Sequence, residues 1–161
     1  MWYAILGAVL LAGDQILKYW VVTHLAVGES APFLPGFMQL TRLHNYGAAW
    51  SSFSGRTVLL VVFTAVLLAV VALLLLKKVV RHWTGVTACT LILSGGIGNI
   101  IDRIVHGYVV DMFDLQLFSY PVFNLADCCV VVGAILGGIY YLFLYDKYDK
   151  KKKEPDHAHD P

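Results

Sequence analysis

Long runs of apolar residues alternate with short polar segments along this chain of 161 residues. A helix needs about 20 consecutive, mostly apolar residues to cross the hydrocarbon core of a bilayer. Four segments meet that requirement, with charged groups at only a few positions inside them. We therefore predict four transmembrane helices, at residues 2–25, 57–76, 83–101 and 122–145.

The first long connection, over residues 26–56, contains signals for both turns and a strand. Pro32, Pro35 and Gly36 mark turns. The mixture of apolar and polar residues that follows, at 37–45, favours a short strand at the membrane surface.

The connection over residues 104–121 carries apolar and aromatic side chains, a pattern typical of a segment lying in the membrane interface. The predicted fold class is therefore an all-α integral membrane protein, with four transmembrane helices, a small extracytoplasmic β-containing surface segment and an interfacial loop or helix. Residues 1–146 form one membrane domain in this interpretation. Residues 147–161 form a basic tail that we expect to be disordered.

The composition agrees with a membrane protein. Hydrophobic residues make up 58% of the chain and charged residues 14%, whereas a soluble domain has about 45–50% and about 25%. The net charge of +1 comes with no basic face, so nothing indicates nucleic-acid binding. Cys89, Cys128 and Cys129 lie in apolar runs and are interpreted as small buried side chains rather than a disulfide framework.

Basic residues are concentrated on one side of the predicted helices. Lys77, Lys78 and Arg81 lie between the second and third helices, and Lys147 and lysines 150–153 follow the fourth. Because cytoplasmic loops carry the excess of lysine and arginine, both termini are predicted to be cytoplasmic. The two long connections then lie on the extracytoplasmic side.

The polar residues in and beside the helices share one depth near that side. Asp111 follows the outer end of the third helix, and Asn124 and Asp127 lie in the first two turns of the fourth. Asn45 closes the surface segment, and Asp14 lies in the middle-to-outer part of the first helix. With a rise of 1.5 Å per residue, Asp127 is only about 8 Å below the start of its helix. The shared layer predicts a functional site near the extracytoplasmic face.

Two carboxylates at this depth, Asp111 and Asp127, favour an aspartic hydrolase. Carboxylates held about 3 Å apart cannot both ionise easily, so they share one proton and their pKa values separate. The ionised carboxylate can take a proton from water, and the protonated one can donate a hydrogen bond to a peptide carbonyl group. This chemistry requires no cofactor and no metal.

Two other classes of protein remain open on the residues alone. Intramembrane carboxylates also mark ion pathways, so a small proton- or ion-coupled transporter is the main alternative. Against it, the chain has no internal repeat, and its acidic residues lie near one face rather than at the midplane. Gly133 and Gly137 form a GxxxG pair, which would also suit a non-catalytic assembly protein.

Individual polar residues also have purely structural interpretations. Asp127 could cap its own helix together with Asn124. Asp14 and Lys18, four residues apart on one helix, could simply pair within the membrane. The polar residues near the end of the third helix could serve only to satisfy backbone groups and carboxylates there.

Five short motifs occur in order along residues 10–130, and together they are very specific. They are DQILK at 14–18, NYGAAW at 45–50, GNIIDR at 98–103, GYVVDMFD at 107–114 and FNLAD at 123–127. In sequence and context they resemble the motifs of the bacterial lipoprotein signal peptidases. These type II signal peptidases are a family of four-span aspartic proteases.

The resemblance implies a reaction and a set of site residues. The family removes the signal peptide of a prolipoprotein after a cysteine has received a diacylglyceryl group, cutting just before that cysteine. Asp111 and Asp127 match the catalytic dyad. The residues expected to bind substrate or support the site are Asp14, Lys18, Asn45, Gly47, Asn99, Arg103 and Asn124, and Ala48 and Ala49 would help to shape it beside Gly47.

The same resemblance implies partners and a location. The expected partners are prolipoprotein substrates, membrane lipids and inhibitors of the globomycin type. The expected location is the cytoplasmic (inner) membrane of a bacterium.

Overall fold

Four helices that are long and apolar enough to cross a membrane form the body of the part of the chain described by this computed structural model, residues 1–47 and 55–150. They are α1 (Trp2–His24), α2 (Thr57–Leu76), α3 (Trp83–His106) and α4 (Leu125–Ile139). After α4, the chain continues as a π-helical turn, Tyr140–Leu144, and a short helix α5 (Tyr145–Tyr148). The prediction of a four-helix membrane protein is confirmed.

The end of the third helix and the start of the fourth differ from the sequence prediction by several residues. The third helix continues past Asp102 to His106, because the carboxylate of Asp102 is buried and paired rather than exposed to water. Gly107 ends it in the left-handed conformation, with φ of 81°, and donates its N–H to the carbonyl of Arg103. The fourth helix begins at Leu125 rather than at 122, since Asn124 caps it.

Helix α3 is the centre of the bundle and packs against α1, α2 and α4. Its buried residues recur every three or four positions, as expected for one face of a helix. Along the half that approaches the sheet, Ser94, Gly95, Gly98, Asn99 and Asp102 follow this spacing, and Gly96 is buried as well. The face that carries the polar side chains of α3 is therefore the face turned away from lipid.

Glycines allow α3 and α4 to approach closely. A Cβ atom on Gly95 would collide with the carbonyl oxygen of Ala126. One on Gly133 would lie 2.8 Å from Ile92 Cγ1 and 2.9 Å from the carbonyl oxygen of Ala88. A Cβ atom on Gly137 would lie 3.8 Å from its nearest neighbour, the Cβ atom of Ala88, which is an ordinary contact distance. Of the GxxxG pair, only Gly133 is thus required to be small.

A three-stranded antiparallel sheet lies at one end of the bundle, in the order β1 (Ser30–Leu34), β2 (Met38–Asn45) and β3 (Val109–Leu115). Strand β2 is the strand predicted at 37–45. Strand β3 occupies part of the connection for which the sequence predicts an interfacial loop or helix. It pairs with β2, and this partner is distant along the chain.

The alternation of side chains along β3 determines which way Asp111 faces. Val110 and Met112 are both buried in one cluster with Val21 and Leu25. Because successive side chains of a strand point to opposite faces, Asp111 is directed away from that cluster. The apolar contacts of β3 with α1 therefore hold Asp111 on the side where α4 begins.

The chain after β3 turns back and returns to the same strand. Phe123 forms an antiparallel bridge with Phe113, and its carbonyl oxygen accepts the N–H groups of Met112 and Phe113 at 3.0 and 2.7 Å. Asn124 and α4 follow immediately. This return brings the start of α4 beside β3.

At the opposite end of the bundle, Asp149 joins the end of the fourth span to the start of α3. Its carboxylate accepts the backbone N–H groups of Arg81 and His82, at 3.0 and 2.9 Å, and the hydroxyl of Tyr140. Residues 147–150, which the sequence analysis places in the tail, are therefore folded onto the bundle. The remainder of that tail, 151–161, lies outside the described residues, so the expectation of disorder stays a prediction there.

The contrast between two glycines of α4 gives a test of the α3–α4 contact. Gly133→Ala should lower the thermal unfolding temperature in detergent by several degrees, because overpacking a tight contact costs about 1–3 kcal/mol. Gly138→Ala is the matched control, since nothing lies within 4 Å of its added Cβ. Equal unfolding temperatures for the two variants would contradict the tight contact at Gly133.

Candidate active site

Asp111 lies on β3, is only 1% exposed, and accepts hydrogen bonds from two asparagine side chains. Asn45 Nδ2 donates to Oδ2 at 2.9 Å, and Asn124 Nδ2 donates to Oδ1 at 2.7 Å. Leu43 is directly opposite Asp111 in the β2–β3 register. Asn45 lies two residues further along β2, so it is a diagonal neighbour of Asp111 on the same face of the sheet, and its side chain can reach the carboxylate. The pairing of β2 with β3 therefore positions Asn45, one of the two donors.

Asp127 lies in the first turn of α4, where Asn124 is the N-cap residue. Asn124 Oδ1 accepts the backbone N–H of Asp127 at 2.8 Å, and Asp127 Oδ2 accepts the backbone N–H of Asn124 at 3.3 Å. This reciprocal arrangement is a capping box. Asp127 therefore does cap its own helix together with Asn124, and the same cap fixes the direction of its carboxylate.

Two amide side chains connect the carboxylates of Asp111 and Asp127. Asn124 Nδ2, besides its bond to Asp111, donates to Asn99 Oδ1 at 3.2 Å. Asn99 Nδ2 then donates to Asp127 Oδ1 at 2.8 Å. The structure therefore brings the two predicted catalytic aspartates into one hydrogen-bond network, although they lie on different elements.

A buried ion cluster lies beneath this network. The ammonium group of Lys18 is 2.9 Å from Asp14 Oδ2, 2.9 Å from Asp102 Oδ2 and 3.1 Å from Asn99 Oδ1. The expected pairing of Asp14 with Lys18 is present, but it is one part of a larger cluster. Asp14 also accepts the backbone N–H of Ala126 at 2.9 Å, which ties α1 to the first turn of α4.

Sequence reasoning did not assign Asp102 and Gln15 to the site. The Gln15 side chain donates to Asp14 Oδ2 and to Asp102 Oδ1, at 3.2 Å in each case, and so bridges the two carboxylates. The sequence pattern places Asp102 at the outer end of the third helix, in the layer of polar residues, without giving it a role in the site. The available signal was its spacing of three residues from Asn99, which puts both on one face of a helix.

Arg103 and Gly47 meet at the edge of the site. Arg103 Nη2 donates to the carbonyl oxygen of Gly47 at 2.8 Å, and the Gly47 N–H donates to Asn45 Oδ1 at 2.9 Å. Arg103 therefore holds the end of β2 over the network. Ala48 and Ala49, predicted to shape the site beside Gly47, lie outside the described residues.

The surroundings of Asp111 bring its pKa close to neutral pH. Burial raises the pKa of Asp111, and the negative charge of Asp127 raises it further. Hydrogen bonds from Asn45 and Asn124 and the charge of Lys18 act in the opposite direction, and the resulting pKa is about 7. A carboxyl group with this pKa can donate or accept a proton under physiological conditions.

An apolar cavity of about 320 Å³ is lined in part by Asp127. The residues around it come from the end of β3, from the segment between β3 and α4, and from α4; they include Leu115, Phe118, Phe123, Cys128, Val131 and Val132. Val131 and Val132 are largely exposed on a membrane-spanning helix, so the cavity is continuous with the lipid-facing surface. Another cavity of about 520 Å³ lies near the opposite end of the bundle and touches none of the network residues.

The cysteine predictions hold for two of three residues. Cys89 and Cys129 are buried, and Cys128 is half-buried beside the cavity. Within residues 1–47 and 55–150, no group of three His, Cys, Asp or Glu side chains is arranged to hold a metal ion. The buried aspartates are instead held by lysine, amide and backbone N–H donors.

A pair of carboxylates joined by amide donors, at one end of four membrane-spanning helices, is the arrangement of a membrane-embedded aspartic peptidase. The family model of signal peptidase (SPase) II matches residues 6–143. The chain therefore belongs to the signal peptidase II family of proteases.

Similar proteins extend over nearly the whole chain. The lipoprotein signal peptidase of Enterococcus faecalis is 40% identical over 151 residues, which are 94% of this chain and 93% of that protein. The lipoprotein signal peptidase of Lactococcus lactis subsp. lactis is 39% identical over 140 residues, 87% of this chain and 91% of that protein. A solved bacterial membrane enzyme superposes with a TM-score of 0.82 at 31% identity, covering 94% of this chain and 93% of the other.

The pKa of Asp111 predicts the pH dependence of peptide cleavage. A pair that needs one shared proton loses it as the pH rises through about 7, so activity should fall above that pH. Asn45→Ala removes a donor that favours the ionised form, which raises the pKa of Asp111. The alkaline limb of the pH–rate profile should then move upward by about one unit, since a hydrogen bond to a charged group contributes about 1.5–3 kcal/mol.

Gln39→Ala is the control for this measurement. Gln39 lies on the same strand as Asn45 but donates to Asp114, at 2.7 Å, rather than to Asp111. Its loss should leave the alkaline limb in place. A limb that stays fixed in Asn45→Ala would contradict the assignment of that limb to Asp111.

Proposed function

We propose that this chain is a lipoprotein signal peptidase that cuts prolipoproteins just before their diacylglyceryl-modified cysteine, using Asp111 and Asp127 to activate water. The observation that carries the proposal is the convergence of both carboxylates on Asn124. Its side chain donates to Asp111, and its backbone N–H donates to Asp127. Membership of a protease family favours hydrolysis over the transporter and assembly interpretations.

The chemistry follows from one proton shared by the pair. The ionised carboxylate takes a proton from a water molecule as the water oxygen attacks the carbonyl carbon of the scissile peptide. The protonated carboxyl group donates its proton to the carbonyl oxygen, which gives a tetrahedral intermediate. Return of a proton to the peptide nitrogen allows the C–N bond to break. The pair titrates as a unit, so neither aspartate is assigned permanently as acid or base.

The supporting residues keep this pair in place through the reaction. Asn45, Asn99 and Asn124 donate hydrogen bonds to the carboxylates, and none of them titrates. Arg103 holds Gly47, and thereby the end of β2, beside the site. Substrate contacts at Gly47 are part of the proposal, since its carbonyl and N–H groups are already oriented by these bonds.

The cavity beside Asp127 supports entry of substrate from the bilayer. A lipid-modified signal peptide presents a peptide bond together with acyl chains, and the cavity joins a carboxylate to apolar walls on the membrane-facing side of α4. We infer that the scissile bond reaches the pair along this path. Membrane lipids would occupy the same opening in the absence of substrate, and inhibitors of the globomycin type are expected to compete there.

Orientation and location are also part of the proposal. The excess of lysine and arginine after α2 and after the fourth span supports cytoplasmic termini in a bacterial inner membrane. The sheet and the aspartate pair would then lie near the extracytoplasmic face. The membrane domain predicted at residues 1–146 extends to residue 150 in this proposal, because Asp149 is bonded to the start of α3, and the rest of the basic tail lies on the cytoplasmic side.

Cleavage of two matched substrates tests the proposed specificity. The purified protein should cut a diacylglyceryl-modified prolipoprotein and leave the same polypeptide without its lipid almost intact. The product ends can be identified by mass spectrometry, with a mature chain that begins at the modified cysteine as the expected result. Equal cleavage of both substrates, or a cut elsewhere, would contradict this specificity.

Replacement of each aspartate tests the proposed mechanism. Asp111→Asn and Asp127→Asn should each lower the cleavage rate by at least about 100-fold, because general acid–base catalysis contributes about 10²–10⁴-fold. Asp114→Asn is the control: Asp114 is on the same strand, but it is bonded to Gln39 and Thr41. Wild-type cleavage by either dyad variant, with normal insertion into the membrane, would exclude the mechanism.

A further inference from the structure

Asp102 is a buried carboxylate that takes part in no step of the proposed reaction. It is 3% exposed and lies on α3, one turn beyond Asn99. Its Oδ2 atom accepts the backbone N–H of Val110 at 3.1 Å and the Lys18 ammonium group at 2.9 Å. Its Oδ1 atom accepts the Gln15 side chain at 3.2 Å. Three donors therefore satisfy both oxygens of this buried carboxylate.

The bond from the Val110 N–H group to Asp102 acts on Asp111. Val110 is the residue immediately before Asp111, so its N–H group belongs to the same stretch of β3 backbone. The side chain of Val110 packs on α1, whereas its N–H is held by α3. Asp102 therefore fixes the backbone one residue away from the carboxylate that the reaction uses.

The bond between Asp102 and the Lys18 ammonium group acts on Asp127 through Lys18 and Asn99. A lysine ammonium group can only donate hydrogen bonds, so Asn99 must present Oδ1 to Lys18. The opposite end of the same amide, Nδ2, is then directed at Asp127 Oδ1. By holding Lys18 in place, Asp102 determines which end of the Asn99 amide faces the dyad.

Asp14 shows the same arrangement on the other side of Lys18. Its Oδ1 atom accepts the backbone N–H of Ala126, the residue immediately before Asp127. Each of the two carboxylates bound to Lys18 therefore also holds the residue that precedes one member of the dyad. Both contacts hold a backbone N–H group, that of Val110 on β3 and that of Ala126 on α4.

We propose that Asp102 is a positioning residue for peptide cleavage, holding Asp111 through the N–H of Val110 and orienting Asn99 toward Asp127 through Lys18. This inference rests on the proposed roles of Asp111 and Asp127. Asp102 does not touch the reacting atoms, so its effect should appear in kcat more than in KM.

Two substitutions separate the contributions of the charge and of the hydrogen bonds. Asp102→Asn retains an oxygen that can accept from Val110 but removes the charge, and it should lower kcat by about 10-fold. Asp102→Leu removes the charge and all acceptors, and should lower kcat by roughly 100-fold, the cost of a displacement of about 1 Å at a reacting group. KM should stay within about twofold in both. Asp114→Asn, which leaves the network intact, is the control.

The pH profile provides a readout that a merely structural role would not move. The charged groups that interact with Asp111 are Lys18 from α1, Arg103 from α3 and Asp127 from α4. Lys18 is in turn paired with Asp14 and Asp102. Loss of the Asp102 charge leaves Lys18 balanced by fewer carboxylates, so its positive charge should favour ionised Asp111 more strongly. The alkaline limb of the pH–rate profile should therefore shift to lower pH in both Asp102 variants.

Unchanged kcat in both variants would overturn the inference. It would also be overturned by a loss of activity that matches the unfolded fraction, measured by thermal unfolding in detergent, with the alkaline limb unmoved. If Asp102→Leu does not fold, the more conservative Asp102→Asn decides. An inactive Asp111→Asn alongside a fully active Asp102→Asn would remove only the role of Asp102 and leave the proposed function intact.

Discussion

The ammonium group of Lys18 lies among three acceptors, the carboxylates of Asp14 and Asp102 and the side-chain oxygen of Asn99. A lysine carries three N–H donors, so each one is used. Removing a charge from water costs several kcal/mol, and at 3% exposure this cost is met only by partners in nearly ideal geometry. That requirement joins α1 to α3 at one depth and fixes the direction of the Asn99 amide. That direction points the Asn99 Nδ2 group at Asp127 Oδ1.

The balance of buried charge favours one proton on the proposed catalytic pair. Four aspartates approach one another at this end of the bundle, and Lys18 and Arg103 are the cations that interact with them among the described residues. With all four aspartates ionised, negative charge would exceed positive charge in a region of low dielectric. Protonation of one member of the pair relieves part of this excess. Asp14 and Asp102 are directly paired with Lys18, whereas Asp111 has two asparagine donors, and burial together with the charge of Asp127 raises its pKa to about 7.

Sequence patterns predicted the helices well because hydropathy is a local property, and the four spans need no knowledge of their neighbours. They also located the polar residues at a common depth. Strand β3 was not predicted, because its stabilisation depends on pairing with β2, which is far away along the chain. The third helix was predicted to end at residue 101 because hydropathy treats Asp102 as a charge in water. Its actual partner, Lys18, is on another helix, and only tertiary structure reveals such a pair.

The location of Asp14 and Lys18 on α1 has a consequence for the biogenesis of the protein. Helix α1 is synthesised before α3 and α4, so it enters the bilayer before Asp102 or the backbone N–H of Ala126, 112 residues beyond Asp14, is available. A lone charge in lipid is costly. One turn of helix separates the two residues, and their side chains are 2.9 Å apart, so α1 brings its own counter-ion into the membrane. The pair that lowers the cost of early insertion later binds α4, because Asp14 accepts the backbone N–H of Ala126.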